Sequence, residues 1–159
     1  MSSYERKANR LTIFLLVVVV LLSIGGTVWL PGPIPIHFNG KGEANRWGSP
    51  ATLLVLAFVC SCVVGLFWLI RRIPTEQMNF PGPRTPENVA QQRQNIDELL
   101  ATNRVIITGL FLGVISQIMW ASIYKQKQII PWPSWLFIVL IFASTIVGLL
   151  NAFRLSAER

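Results

Sequence analysis

Four long stretches without a single Asp, Glu, Lys, Arg or His, at residues 11–30, 52–70, 105–124 and 135–153, decide most of what this chain can become. Each is close to the ~20 residues that a helix needs to cross ~30 Å of hydrocarbon. In that solvent every backbone N–H and C=O must be satisfied within the protein, so runs this long and this apolar read as spanning helices and not as core strands. Composition agrees, since the 159 residues are 52% hydrophobic and 13% charged, with a mean hydropathy of +0.52, far from an ordinary soluble domain. The expected fold is an all-α integral membrane protein, a four-transmembrane-helix bundle forming a single domain over residues 1–159. The first run reads as a retained span and not as a cleaved leader. It is too long, and Gly25-Gly26-Thr27-Val28-Trp29-Leu30-Pro31 is a poor small-x-small cleavage site.

Basic flanks stay on the cytoplasmic side of a membrane. Ten of the 14 Lys and Arg residues lie before the first run (Arg6, Lys7, Arg10), between the second and third (Arg71, Arg72, Arg84, Arg93, Arg104) or after the fourth (Arg154, Arg159). The other two loops hold Lys41, Arg46, Lys125 and Lys127. Both termini are therefore expected in the cytoplasm, with loop 31–51 outside. Trp29, Trp120, Trp132 and Trp135 fall at the proposed outer ends and Trp68 at an inner end, where indoles favour the headgroup boundary. The net charge of +7 follows from this topology, so nucleic-acid binding is not needed to explain it.

Between helices in lipid, close packing replaces the hydrophobic effect, and small residues four apart mark contact faces. Gly109 and Gly113 form such a pair in the third run, Ala57, Ser61 and Gly65 a stripe in the second, and Ser144 with Gly148 a repeat in the fourth. The pair at Gly109 and Gly113 serves either packing within the chain or a homodimer. Ser116 and Gln117 are the most polar neighbours inside a span and are expected to make an interhelical hydrogen bond. Without an ionisable group beside them they do not suggest a proton or ion pathway. Cys60 and Cys62, two apart on a helix, point to different faces and read as packing residues, neither a disulfide nor a metal site.

The cytoplasmic segment 71–104 is too long for a plain turn. Thr85 suits an N-cap, Pro86 the first helical position, and Glu87 the positive end of the helix dipole. A juxtamembrane helix is expected to start there and feed into the third span, with Val89, Ile96 and Leu100 forming a narrow apolar stripe for the membrane or a cytoplasmic partner.

Loop 31–51 carries the one His of the chain. Pro35 disfavours helix at itself and at Ile34, so residues 34–39 are expected to be extended. Ile34, Ile36 and Phe38 then face one way and His37 and Asn39 the other. Gly40, Gly42 and Gly48 allow turns, which suggests an ordered, hairpin-like outer lid with its apolar side on the bundle mouth. His37, Asn39, Glu43, Asn45 and Arg46 form its polar cluster. One His and one Glu fall short of a zinc site's three or four ligands. Ser49 is the only nearby hydroxyl, and no spacing ties it to His37 as a nucleophile. No metal, cofactor or catalytic residue is expected.

Pro31, Ile34, Pro35, His37, Phe38 and Asn39, followed by Gly42, Glu43, Arg46, Trp47, Gly48 and Ser49, resemble the signature of a family of small bacterial membrane proteins that share the domain of unknown function DUF1648. The SdpI-like toxin-immunity proteins are its best understood members. Asn79-Phe80-Pro81 with Thr85-Pro86-Glu87-Asn88 is similar to that family's cytoplasmic segment. Asn45 stands where the family commonly has Asp, Pro50 where it has Lys, and immunity-type members carry helices beyond four. The resemblance implies the bacterial plasma membrane, protection against a secreted toxic peptide met by the outer lid, and a cytoplasmic regulator met by 71–104. The expected function is that of a non-enzymatic interaction protein of immunity or signalling type, with membrane lipids and a protein in the membrane or at its outer face as partners. The alternatives are an accessory or assembly subunit of a larger membrane complex, and a membrane-surface enzyme using His37 and Glu43.

Overall fold

The computed structural model describes residues 1–82 and 84–157; the expectations attached to the Glu87 side chain and to Arg159 lie outside the described residues. Helix α1 (Ser3–Trp29) starts at a reciprocal cap. Ser2 Oγ accepts from the Glu5 amide at 3.1 Å, and Glu5 Oε2 accepts from the Ser2 amide at 2.8 Å, satisfying two otherwise orphaned donors. After α1 come strands β1 (Ile34–Phe38) and β2 (Ala44–Gly48), then α2 (Thr52–Arg71) and a single 3-10 turn at Thr75–Gln77. Helix α3 (Pro86–Ile123) begins as its sequence suggests, with Thr85 Oγ1 accepting from the Asn88 amide at 3.2 Å and proline in the first turn. It continues without a break for 38 residues, about 57 Å at the helical rise and nearly twice the hydrocarbon thickness. Helix α4 (Trp132–Ala157) completes the chain.

All four helices are long and apolar enough to cross a membrane, which makes this a multi-pass membrane protein with a four-helix, all-α architecture. Helix α3 is its axis: α1, α2, α4 and β1 all pack against it, and α1 and α2 also pack on each other. Val19, Leu53, Ala57, Cys60, Val64, Ile115 and Ile118 form the core between α1, α2 and α3. Phe14, Leu21, Phe58, Leu69, Phe142 and Phe153 stand exposed on the outer surface. This inverts the soluble pattern and suits a solvent of lipid tails. For orientation, the end where β1 and β2 lie is called the hairpin end, and the opposite end, with both chain termini, the terminal end.

The small residues separate into used and unused contacts. A Cβ at Gly26 would stand 2.5 Å from Leu53 Cδ1, so α1 and α2 approach closely there. Gly109 and Gly113 face the Phe137 ring of α4, at 2.8 and 3.7 Å from the corresponding Cβ positions, and Gly148 faces Leu99 at 2.7 Å. Ala57 is buried, and the Ser61 hydroxyl returns to the Ala57 carbonyl at 2.8 Å. Gly65 is different, because a Cβ there meets nothing within 4 Å. Cys60 is buried, Cys62 is exposed, and both are free thiols. Gln117 does not make the interhelical bond expected of it: its Oε1 is buried without a partner among the described residues. Position 117 turns toward a groove beside Gly113, Ser116, Trp120, Ile130 and Pro133, where neighbouring helices offer no donor.

Two glycine substitutions should therefore act in opposite directions. Gly26→Ala, pressed against the fully buried Leu53, should destabilise the detergent-solubilised protein by about 1–3 kcal/mol through overpacking. Gly65→Ala should leave it unchanged or stabilise it by up to about 1 kcal/mol through helix propensity. Thermal unfolding of the two variants in one detergent checks both signs.

Candidate functional site

Two assemblies of polar groups stand out, one at each end of α3. At the hairpin end, β1 and β2 pair antiparallel, with Ile34 opposite Gly48, Pro35 opposite Trp47, His37 opposite Arg46 and Phe38 opposite Ala44, and with irregular register on both sides of His37. Ile36 and Phe38 pack on the core and His37 between them is exposed, an alternation that holds from Ile36 to Phe38 only, since Ile34 and Pro35 are both buried. Asn39 holds the turn: its Oδ1 accepts from the Lys41 and Glu43 amides, both at 3.0 Å, and its Nδ2 donates to Glu43 Oε2 at 2.7 Å. Gly42 has φ +82°, and a Cβ there would run into the Ile129 carbonyl, so this position requires glycine twice over.

Absent from the sequence reading is a third rung. The α3–α4 connection lies along the hairpin. The Ala44 amide donates to the Lys127 carbonyl at 2.7 Å and the Ile129 amide to the Gly42 carbonyl at 2.8 Å, with Glu43 bridging Gln128. Gln128 Nε2 also reaches the Lys41 carbonyl at 3.0 Å. The hairpin is thus tied to the middle of the α3–α4 connection, at residues 127–129.

Of the polar cluster read from sequence, the structure brings His37 to Asn45, with Nδ1 2.5 Å from Oδ1, and Asn39 to Glu43. These are two separate pairs. His37 and Glu43 make no contact with each other, and among the described residues no group of three His, Cys, Asp or Glu could hold a metal. Arg46 and Trp47 are exposed, Trp47 with 45% of its surface, while Gly48 lets Ile36 close over it, a Cβ there lying 2.7 Å from Ile36 Cδ1. What the lid presents outward is therefore His37, Arg46 and Trp47, on a backbone held from three sides.

At the terminal end lies a clasp of charges between helices. Glu5 of α1 is 2% exposed, and Arg71 of α2 reaches it with Nε 2.8 Å from Oε1. Arg71 Nη2 also lies 3.8 Å from Asp97 Oδ2 of α3, and Arg93 Nε lies 3.1 Å from the same oxygen. Arg93 goes on to donate to the Arg71 and Ile73 carbonyls, satisfying acceptors at the C-terminal end of α2. Arg104, counted from the sequence among the basic residues between the second and third runs, is fully buried: Nη2 donates to Asn9 Oδ1 at 2.5 Å and the guanidinium lies 5.8 Å from the Trp68 ring centre.

Beyond the clasp, α3 and α4 continue together. Asn88, Gln92 and Asn95 donate from their side-chain amides to the carbonyls of Leu155, Ala152 and Gly148, at 2.6, 2.7 and 2.8 Å, and the Ser144 hydroxyl donates to Asn103 Oδ1 at 3.0 Å. The packed face of the juxtamembrane helix is this amide row. Val89, Ile96 and Leu100 are each only half-buried beside it. Two sequence signals could have found these groups. Ser2-x-x-Glu5 is a capping box, and the 4-then-3 spacing of Asn88, Gln92 and Asn95 puts three amides on one helix face.

Breaking the clasp on one side should cost more than removing it whole. Arg71→Met leaves the Glu5 carboxylate buried without its cation, an expected loss of about 3–5 kcal/mol. Adding Glu5→Gln should recover a large part of it. A double-mutant cycle on thermal unfolding reads the difference, and equal losses in the single and double variants would remove the ion pair from the account.

No curated protein and no solved structure gives a significant match to this chain. The family match falls on residues 11–61, which comprise most of α1, the whole hairpin and the first half of α2. The chain is thus a multi-pass membrane protein containing a domain of unknown function, DUF1648.

Proposed function

We propose that this is a non-enzymatic interaction protein of the bacterial plasma membrane, of the SdpI-like immunity or signalling kind, with both termini in the cytoplasm and the hairpin as its outward recognition surface. The observation that carries the reading is the combination of a firmly mounted hairpin with an unengaged outer face. Arg46 and Trp47 are consecutive residues of β2 and both are exposed, and Trp and Arg are the residue types that most often dominate binding energy at protein interfaces. A surface held from three sides loses little conformational freedom when a partner binds. The separate engagement of His37 with Asn45 and of Glu43 with Asn39 favours a structural role for these side chains over acid–base chemistry.

The unpartnered Gln117 favours a second reading, an accessory or assembly subunit of a larger membrane complex, in which a neighbouring protein's helix supplies the missing donor. Co-purification of a defined complex in mild detergent, lost on Gln117→Leu, supports that reading, and a monodisperse monomer from both forms removes it.

For the first reading, cells making the protein should tolerate a secreted toxic peptide encoded beside it, and Arg46→Ala with Trp47→Ala should lower the protective dose about 30-fold at unchanged membrane level. Equal sensitivity of cells with and without the protein would overturn the immunity role. The topology is tested separately, with Cys60 and Cys62 replaced by Ala. A membrane-impermeant maleimide should label Lys41→Cys in intact cells and Ser3→Cys only after permeabilisation.

A further inference from the structure

The open slot at Gly65 continues as a groove along the lipid side of α2, about 520 Å³ in volume and lined by Cys62, Gly65, Leu66, Trp68, Leu69 and Arg72. We propose that it is a binding site for one anionic phospholipid, with an acyl chain in the slot at Gly65 and the phosphate at Arg72. Depth supports the assignment. Helix α2 has 20 residues, about 30 Å, so its length matches the hydrocarbon and its end stands at headgroup level. Gly65 lies seven residues earlier, about 10 Å deeper at the helical rise and at the level of lipid tails. The missing side chain matters here, because a Cβ at Gly65 meets no protein atom within 4 Å and the slot is open for a chain to enter.

Charge selects the headgroup. Glu5 and Asp97, the acidic groups of the clasp, are already engaged by Arg71 and Arg93. Arg72 is exposed and makes no ion pair among the described residues. Behind the groove, against Trp68, Arg104 is fully buried, and its Nε and Nη1 have no partner. Arg72 is thus the cation left free in the groove lining, with the buried Arg104 behind Trp68. A phosphate answers Arg72, whereas the ammonium of a zwitterionic headgroup adds a second cation beside it. Trp68 is steadied by its Nε1 donating to Asn9 Oδ1 at 3.5 Å, so it forms a fixed wall between Arg104 and the groove.

The test places the purified full-length protein in nanodiscs of equimolar phosphatidylglycerol and phosphatidylcholine with matched acyl chains. Native mass spectrometry then reads the lipid retained after gentle release. Wild type should retain one lipid, enriched about fivefold in phosphatidylglycerol, the factor expected of one cation at the surface. Arg72→Gln should bring the ratio close to one, and Gly65→Leu, which fills the slot, should abolish retention of either lipid. Lys7→Gln, which removes an exposed cation away from the groove, should match wild type. Retention of the two lipids in equal amounts by wild type would overturn the proposal. So would enrichment that survives Gly65→Leu, or that falls as far in Lys7→Gln as in Arg72→Gln, since either result reduces it to general surface charge.

Discussion

The structure depends on how polar groups are satisfied where α3 leaves the hydrocarbon. Inside lipid an unpaired donor or acceptor costs several kcal/mol, and α3 carries Asn88, Gln92, Asn95, Asp97, Asn103 and Arg104 toward the terminal end. Each finds at least one partner on another element or within its own helix. Those partners fix the neighbours in turn: α4 by a row of amides donated to its carbonyls, α1 and α2 by the clasp at Arg71, and the end of α2 by Arg93. Hydrocarbon burial does not discriminate among these arrangements, because lipid tails are as apolar as the side chains they replace. Hydrogen bonds and close contacts at Gly26, Gly109 and Gly148 therefore set the register of the bundle.

Much of this was legible in the chain because its signals are local. Runs free of charge give the four helices, Thr85 with Pro86 gives the start of α3, and the alternation from Ile36 to Phe38 gives the buried and exposed faces of the lid, with Pro35 buried against that pattern. The remainder depends on contacts between distant residues. Glu5 meets Arg71 across 66 positions and Asn9 meets Arg104 across 95, and neither pairing has a periodicity to reveal it. Arg104 shows the limit of a counting rule, since the positive charges that indicate orientation say nothing about which of them will be enclosed. Gln128 is similar. It lies in a short connection with no strand pattern of its own and becomes a rung only because the hairpin stands beside it.

The small-residue stripes illustrate why a motif does not fix its partner. Gly109 and Gly113 have the spacing of a dimer face, yet the Phe137 ring fills their notch from within the chain. Gly65 belongs to an equally plausible stripe and is left open. The difference lies in which side of each helix faces α3. Helix α2 turns Leu53, Ala57, Cys60 and Val64 inward, a seam that includes Ala57 and leaves Gly65 on the lipid side.

The two polar assemblies also differ in what they can offer a partner. At the terminal end the charged groups are spent on one another, so the clasp is structural, and only the cations beyond its carboxylates remain available. At the hairpin end the apolar residues of β1 are spent on the bundle, and backbone hydrogen bonds from Gly42 and Ala44 to residues 127–129 secure the start of β2, leaving side chains of β2 exposed. Where residues 127–129 already lie against Gly42 and Ala44, no further strand can pair with that backbone. Under the recognition role proposed for the hairpin, the exposed side chains of Arg46 and Trp47 are therefore the groups it has to offer.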